Sequence, residues 1–313
     1  MTEWRFSPVQ PGSVRGMTSY LISHPVQEPY QIDISWPLTW SKDCASVANA
    51  IYLVDGNALF LTATETLRRR QSHRQHEVDS IVVAVGYPLV GSGSGSVFSP
   101  RRSYDLTPPC DPAHYTPPDG PDGKQKLEEH GGADKFVTFI TQVVRPFVQT
   151  ALFPRVSFSR TALFGHSYGG LFVLHTLFTR PWAFDVYLAA SPSIWWNDRF
   201  ILSEAEKFCA ESSTITATSR PALRLSFGSR EQTPVCEPNE SSEKFQMRQA
   251  AAGRRRMADN CRELCAQLLD SHRLGVLEVR EYLDEDHGSV IAPALSGGIG
   301  FFSGLSASWD QTV

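Results

Sequence analysis

A serine flanked by glycines constrains the fold of this chain more than any other feature of its sequence. Residues 162–172 read ALFGHSYGGLF, so one apolar run stops at Gly165 and another begins after Gly169 and Gly170. A strand that reverses into a helix within about three residues needs small side chains at such positions, because the backbones of the two elements nearly touch. The segment therefore predicts a strand, a sharp turn at Ser167 and a helix.

The rest of the chain alternates short apolar runs with helical patterns, which predicts an α/β fold. Runs of strand length occupy 19–24, 30–37, 50–56, 80–88, 160–165, 184–192, 222–228 and 277–283. Helical periodicity marks 136–148, where Pro146 should kink the helix, and 257–269. The first two strands should pair antiparallel, and the later ones should form a mostly parallel sheet with helices on both faces.

Length and charge narrow the class of protein. A chain of 313 residues fits one large domain, 1–313. The net charge of -4 lacks the basic excess that nucleic-acid binding requires, and no apolar run reaches the roughly 18 residues of a membrane span. Because the chain does not begin with a basic segment followed by an apolar one, we expect a cytoplasmic protein. The sequence indicates no nucleic acid, membrane or obligate protein partner.

The cysteines predict free thiols rather than a metal site. All six (Cys44, Cys110, Cys209, Cys236, Cys261 and Cys265) are scattered, without a pair or a Cys/His cluster of zinc-site spacing. Cys261 and Cys265 are one helical turn apart, but they continue an apolar stripe, which favours core packing. We expect a reducing compartment and no bound metal.

One long segment, residues 89–132, interrupts the alternation and is rich in Gly, Ser and Pro. It is too long for a simple connector, and it follows a strand whose carboxyl end should lie at the ligand-binding edge of the sheet. We therefore predict a substrate-binding loop or lid.

Ser167 lies in a G-x-S-x-G pattern between a strand and a helix, which is the context of a catalytic serine. A serine hydroxyl attacks an ester only when a base takes its proton, and in this arrangement the acid and then the histidine follow the serine in the chain. His287 comes directly after the last predicted strand, whereas His272 ends a helix among polar residues. We predict Ser167 as the nucleophile and His287 as the base.

The acid that orients the histidine is less sharply defined by the sequence. Glu231 follows the strand before the last one, which places a carboxylate at the correct edge of the sheet. Asp284 and Asp286 are closer to His287 in sequence, and Asp198 follows another strand. We predict Glu231, with these aspartates, or a serine–histidine pair without an acid, as alternatives.

An oxyanion hole requires two backbone N–H groups near the serine. One should come from Tyr168, the residue after the nucleophile, and the other from a loop after an earlier strand. The segment YLVDGNALF supplies that loop, so Gly56 or Asn57 should donate, although Gly56 also suits an ordinary turn.

Seven segments, in order between residues 20 and 305, resemble the siderophore esterases of the α/β-hydrolase fold: YLVDGNALF, VAVGYP, RRSYDLTP, FGHSYGGLFVL, SPSIWWN, FGSREQT and DHGSV. The chain is similar to the salmochelin and enterobactin esterase branch, and especially to the cytosolic fungal esterases for ferric triacetylfusarinine C. The resemblance implies an α/β-hydrolase fold, Ser167 and His287 as nucleophile and base, and SPSIWWN as a wall of the active site. Some relatives use a serine–histidine pair alone.

The resemblance also implies the reaction. A serine esterase of this family would cut the ester bonds of a ferric trilactone siderophore without any cofactor, because the iron arrives inside the substrate. Among such substrates the acidic composition favours a neutral ferric hydroxamate, triacetylfusarinine C, over a trianionic catecholate. A general carboxylesterase of the feruloyl or S-formylglutathione hydrolase type, and a non-catalytic siderophore-binding protein, are the alternatives.

The predicted substrate contacts are one cation and four aromatic residues: Arg102, Tyr87, Tyr104, Trp195 and Trp196. Both tryptophans also suit core packing. The arginine triplets 68–70 and 254–256 fall on helical patterns, and we expect them to be solvated faces of those helices.

Overall fold

Nine strands form one sheet in this computed structural model, which describes residues 4–8, 15–41, 44–89, 95–118, 125, 127–211 and 220–305. The strands are β1 (Arg5–Pro8), β2 (Met17–Ser23), β3 (Tyr30–Ser35), β4 (Ser46–Leu53), β5 (Asp79–Gly86), β6 (Val156–His166), β7 (Val186–Ala190), β8 (Ala222–Gly228) and β9 (Val276–Tyr282). Their order across the sheet is β1-β2-β3-β5-β4-β6-β7-β8-β9.

The pairing divides the sheet into an antiparallel beginning and a parallel remainder. β1 pairs with β2, β2 with β3 and β3 with β5 in antiparallel fashion. From β5 through β4 to β9 every pair is parallel. The mostly parallel sheet and its antiparallel beginning are thus confirmed, and β1 is an edge strand that the sequence analysis did not predict.

Helices cover both faces of the sheet. They are α1 (Gly56–His73), α2 (Arg102–Asp105), α3 (Ala133–Phe139), α4 (Tyr168–Thr179), α5 (Trp196–Arg199), α6 (Ile201–Ala210), α7 (Ser242–Arg255), α8 (Met257–Leu269) and α9 (Ile291–Gly304). Apolar side chains of α1 and α9 belong to the core on one face, and those of α3, α4, α6 and α8 belong to the core on the other. Helices on both faces were predicted, and this is confirmed.

The helix predicted around Pro146 changes to a wider, π-helical winding on either side of the proline, where a kink was expected. Two π-helical stretches, Ile140–Val144 and Phe147–Leu152, lie on either side of Pro146. Proline has no N–H to donate to the preceding turn, so a local change from the α-helical pattern is expected there. The apolar stripe is nevertheless in the core, since Phe136 and Val148 are buried.

The carboxyl ends of the parallel strands meet at one edge of the sheet. Ser167 follows β6 directly, α1 begins after β4, Glu231 follows β8, and His287 follows β9. The insertion of residues 89–132 follows β5 at the same edge. Its described residues contain α2 and one 3-10 turn, Pro112–His114, while 90–94, 119–124 and 126 lie outside the described residues. The single domain over 1–313 stays a prediction.

Candidate active site

The turn between β6 and α4 is a sharp elbow with a strained backbone at Ser167. This residue has φ 60° and ψ −116°, a conformation that side-chain-bearing residues rarely adopt. A Cβ on Gly165 would collide with the backbone of Gly169, and a Cβ on Gly170 would lie 2.8 Å from Pro192 Cα. The glycines are therefore required because strand, helix and the loop after β7 meet around the serine.

Three side chains from the strand ends form one hydrogen-bonded chain. His287 Nε2 lies 3.0 Å from Ser167 Oγ, and His287 Nδ1 lies 2.6 Å from Glu231 Oε2. The other carboxylate oxygen of Glu231 accepts hydrogen bonds from Ser191 Oγ and from the backbone N–H of Gly228, each at 2.6 Å. Glu231 is buried, and three hydrogen bonds, from His287, Ser191 and Gly228, fix its two carboxylate oxygens.

The alternative acids have other partners. Asp286 accepts hydrogen bonds from the backbone N–H groups of the next turn, and these bonds lower the pKa of its carboxyl. Asp284 pairs with Arg230 at 2.8 Å, and Asp198 accepts a hydrogen bond from Thr116 at 2.6 Å. Of the four candidate acids, only Glu231 contacts the ring of His287.

The beginnings of α1 and α4 lie side by side at the elbow. The N–H of Val54 donates to the carbonyl of Phe164 at 3.2 Å, which joins the ends of β4 and β6. Tyr168 and Gly56 are the first residues of α4 and α1, and first-turn N–H groups have no acceptor within their own helix. Both groups can therefore donate to an oxygen that develops charge beside Ser167.

Asn57 has a structural contact that the sequence analysis did not anticipate. Its side-chain amide accepts a hydrogen bond from the N–H of Tyr87 and donates one to the carbonyl of Tyr87, both at 2.8 Å. This pair of bonds fastens the start of α1 to the end of β5. Any contribution of Asn57 to an oxyanion hole must come from its backbone N–H.

A cavity of about 1220 Å³ opens onto Ser167, Glu231 and His287. The insertion contributes Arg102, Pro118 and Glu128 to its wall, the loop after β7 contributes Trp195, and most of the remaining wall belongs to α7 and the residues beside it. Six Lys or Arg residues line the cavity against four Asp or Glu residues. The cations are Arg102, Arg230, Lys244, Arg248, Arg254 and Arg255. Three of these cations, Arg102, Arg230 and Arg248, are ion-paired with Asp55, Asp284 and Glu240, which do not line the cavity.

Comparison with known proteins assigns the family. The family model described as "Putative esterase" matches residues 23–260. The siderophore enterobactin esterase of Emericella nidulans is 64% identical over 310 residues, which cover 98% of this chain and 100% of that protein. The siderophore triacetylfusarinine C esterase of Aspergillus fumigatus is 46% identical over 279 residues, 88% of this chain and 89% of that one. The chain belongs to the siderophore esterase family.

A solved structure agrees with this assignment. Siderophore hydrolase EstA from Aspergillus nidulans matches with a TM-score of 0.88 at 64% identity, and the match covers 97% of this chain and 99% of the other. This esterase is therefore an ester hydrolase of the α/β-hydrolase-like fold. Across the residues that the structure describes, no helix is long and apolar enough to cross a membrane. The same residues contain no group of three or more His, Cys, Asp or Glu side chains that could hold a metal ion.

The predicted substrate contacts separate into two groups in this esterase. Trp195 lines the cavity, where its ring lies 6.2 Å from that of Tyr168. Trp196 is only 1% exposed and packs near Tyr115 and Phe200, away from the cavity wall. Adjacent residues at the start of a short helix therefore point in different directions, and only Trp195 of the two lies on the cavity wall, while its contact with substrate stays a prediction.

Two tyrosines also lie away from the cavity wall. Tyr87 is buried beside Tyr30, and this burial raises the pKa of its phenol well above the ordinary value. The hydroxyl of Tyr104 accepts a hydrogen bond from Lys135 Nζ at 3.0 Å, and neither tyrosine is among the cavity-lining residues. Both tyrosines thus lie outside this wall, and their contact with substrate stays a prediction.

Arg102 lines the cavity and also joins the insertion to the elbow. Its Nε and Nη2 donate to the two carboxylate oxygens of Asp55 at 2.9 and 2.8 Å, a bidentate ion pair. The Asp55 side chain is 1% exposed and precedes the first residue of α1. Arg102 also lies 5.4 Å from the centre of the Tyr168 ring. The pair therefore fixes the insertion against the loop that carries Gly56.

The basic wall formed by α7 is the main feature that the sequence analysis missed. Arg254 and Arg255 are exposed, in line with the solvated face expected for the triplet 254–256, and both also line the open cavity. The guanidinium of Arg255 lies 5.1 Å from the centre of the Trp195 ring. The three consecutive arginines at the end of a helix were the available signal, but only the path of the chain shows which side they face.

His166, between the elbow glycine and the nucleophile, is a buried neutral group. Its ring centre lies 4.6 Å from that of His287. Burial, together with the nearby His287 and Arg102, lowers the pKa of His166 well below its ordinary value. The imidazole of His166 therefore adds no positive charge beside the base.

Proposed function

We propose that this esterase hydrolyses the ester bonds of a ferric trilactone siderophore, with Ser167 as nucleophile, His287 as general base and acid, and Glu231 as the carboxylate that orients His287. The observation that carries the proposal is the hydrogen-bonded chain of these three side chains on the wall of a large cavity. The names of the two relatives support the siderophore as substrate class.

The geometry supports a two-step mechanism. With its Nδ1–H donated to Glu231, His287 keeps the lone pair on Nε2 that accepts the proton of Ser167. Attack of Ser167 Oγ on the ester carbonyl forms a tetrahedral intermediate, and its collapse breaks the ring C–O bond as His287 returns the proton to the departing alkoxide. Water, deprotonated by His287, then cleaves the acyl-enzyme and regenerates Ser167.

The N–H of Tyr168 and that of Gly56 or Asn57 are proposed to hold the oxygen that gains negative charge. Both helix beginnings also carry partial positive charge from the aligned peptide dipoles. Hydrolysis of one ester opens the ring that holds three iron-binding arms together. The effective concentration of each arm at the iron then falls, so the iron becomes easier to remove.

Cavity size and charge favour a trianionic ferric catecholate as the substrate. The volume of about 1220 Å³ exceeds the roughly 300–1,000 Å³ of common small-molecule pockets, so a macrocyclic substrate has room. A catecholate arm is aromatic and anionic, and the stacked pair of Arg255 and Trp195 suits both properties. The sequence-based preference for a neutral hydroxamate rested on the acidic composition of the whole chain, whereas Lys244, Arg254 and Arg255 lie on the cavity wall.

A ferric hydroxamate trilactone is the second candidate, because a relative at 46% identity is named a triacetylfusarinine C esterase. The test is to incubate the protein and its Ser167→Ala variant with ferric enterobactin, ferric triacetylfusarinine C and a short p-nitrophenyl ester. Mass spectrometry then measures ring opening. We expect the protein to open ferric enterobactin most efficiently and the variant to open no substrate. Cleavage of the small ester alone would overturn the siderophore assignment and leave a general carboxylesterase.

We propose that this esterase acts in the cytoplasm, because its free cysteine thiols suit a reducing compartment. All six cysteines lie in the described residues and all are free, and Cys261 is packed in the core as predicted. Disulfides are rare in the cytosol because reductants keep thiols reduced. Fractionation of cells that carry the tagged protein tests this location, and recovery in a secreted fraction with oxidised cysteines would contradict it.

A further inference from the structure

The segment Ser191–Pro192–Ser193 lies directly behind the three proposed catalytic side chains. Both serines are completely buried, and both belong to the segment SPSIWWN, which the resemblance implies is a wall of the active site without giving either serine a role. Ser191 Oγ contacts the acid, Glu231, and Ser193 Oγ contacts the nucleophile, Ser167. One tripeptide after β7 therefore contacts both ends of the proposed catalytic chain.

The backbone holds this segment firmly in place. The N–H of Ser193 donates to the carbonyl of Ser167 at 3.1 Å, and the N–H of Ser191 donates to the carbonyl of Ser226 at 2.6 Å. Ser191 has φ 44°, a left-handed conformation that is unfavourable for serine. Pro192 packs against Gly170 in α4. Because such strain persists only where the surroundings impose it, we infer a function for this conformation.

The direction of the hydrogen bond between the two serines follows from the protons available. Ser193 Oγ lies 3.3 Å from Ser167 Oγ. Ser167 must donate its own hydrogen to His287 Nε2, because Nδ1 carries the imidazole proton that faces Glu231. Ser193 is then the donor and Ser167 the acceptor. A contact of 3.3 Å is long for two hydroxyls, and catalytic hydrogen bonds of this kind shorten when substrate is bound.

We propose that Ser193 is a catalytic residue that donates a hydrogen bond to Ser167 Oγ, and that Ser191 is a positioning residue that holds Glu231 against His287. This inference rests on the proposed esterase function. Ser193 keeps its proton throughout. Its O–H stabilises the charge on Ser167 Oγ as the proton moves to His287, and again when Oγ leaves the acyl-enzyme and recovers the proton from His287.

The two serines predict different effects when each is replaced by alanine. Ser193→Ala should lower kcat roughly 10-fold, with KM within about twofold, because a hydrogen bond to a charged oxygen is lost. The rate at which an organophosphonate labels Ser167 should fall by a similar factor, and the pH profile should keep its shape. Ser191→Ala should instead move the acid limb of the kcat/KM profile to lower pH, because a less firmly held Glu231 stabilises the protonated imidazole less.

Conservative variants separate these roles from structural ones. Ser193→Thr keeps a hydroxyl and should retain more activity than Ser193→Ala. Ser191→Gly relieves the left-handed strain but removes the hydroxyl, so it should shift the pH profile as Ser191→Ala does. Unfolding midpoints of all variants report on folding. If Ser193→Ala keeps full kcat and full labelling rate, the catalytic role is wrong, and if Ser191→Gly keeps the unshifted profile, the positioning role is wrong. A wild-type protein that neither hydrolyses esters nor reacts with the phosphonate would overturn the proposed function itself.

Discussion

The elbow and the α7 wall meet at the same cavity, but they are built in opposite ways. Ser167, Glu231 and Ser191 are held by buried strand ends and by glycines that permit backbones to touch. In α7 only Ala252 is buried, and a Cβ on Gly253 would meet no atom within 4 Å. We propose from this difference that the buried core holds the catalytic side chains in place, while the exposed helix α7 contributes to the selection of substrate.

Apart from removal of the nucleophile, the largest expected effect comes from the buried acid. Glu231→Gln keeps the shape of the side chain but removes its charge, so the neutral amide no longer holds the imidazole in the required tautomer or stabilises its cation. We expect kcat for ferric enterobactin to fall roughly 10³- to 10⁴-fold, as in other hydrolases with such an acid. Asp286→Asn, at a carboxylate that accepts hydrogen bonds from the backbone of its own turn and does not contact the ring of His287, is the comparison. Equal losses in both variants would contradict the assignment of the acid.

Two glycine variants compare the packing of the two regions directly. Gly170→Ala should lower the free energy of unfolding by roughly 2–3 kcal/mol, because its Cβ would lie 2.8 Å from the carbonyl of Ala190 and from Pro192. Gly253→Ala should raise that free energy by about 0.5–1 kcal/mol, because alanine is the better helix former where space is open. Urea unfolding measures both, and a loss of stability in Gly253→Ala would contradict the loose packing of α7.

A buried histidine of α4, His175, makes stability depend on pH. His175 Nδ1 lies 2.8 Å from Glu204 and Nε2 lies 3.5 Å from Asp134. Burial opposes protonation, but the two carboxylates outweigh it and raise the pKa of His175 from 6.5 to about 9. A raised folded-state pKa gives stability that is fully present below about pH 6.5 and is lost as pH rises through about 9.

The variant His175→Gln tests this linkage. At pH 6 we expect the free energy of unfolding of the wild type to be higher than that of the variant by on the order of 2 kcal/mol. This difference should shrink as the pH approaches 10. Chemical unfolding across this range provides the measurement. A difference that stays constant with pH would show that His175 acts through packing rather than through its charge.

The smallest effect is expected at the basic wall and should depend on substrate. Arg255→Ala should raise KM for ferric enterobactin about 10-fold with kcat nearly unchanged, and it should alter KM for neutral ferric triacetylfusarinine C much less. Arg69→Ala removes the same charge from α1, where the side chain is 66% exposed, and serves as the control. Equal changes in KM for both substrates would contradict charge selection by α7.

The sequence predicted the framework of the site better than its walls. Ser167, His287 and Glu231 each follow a strand. The carboxyl ends of parallel strands lie at the same edge of a sheet, and this does not depend on the conformation of the loops. Trp195 and Trp196 have the same chemistry and adjacent positions, and only packing decides that one lines the cavity while the other is buried. Arg255 faces the cavity because of the path between β8 and α8, which no local pattern encodes.

The most direct test of the central claim measures catalysis and binding separately for Ser167→Ala. Ring opening of ferric enterobactin gives kcat/KM, and quenching of tryptophan fluorescence gives the Kd of the substrate. We predict that kcat/KM falls by about 10⁴-fold or more while Kd stays within about threefold, because the binding walls remain intact. Ring opening within tenfold of the wild type would contradict the account, because the chemistry would then not depend on Ser167.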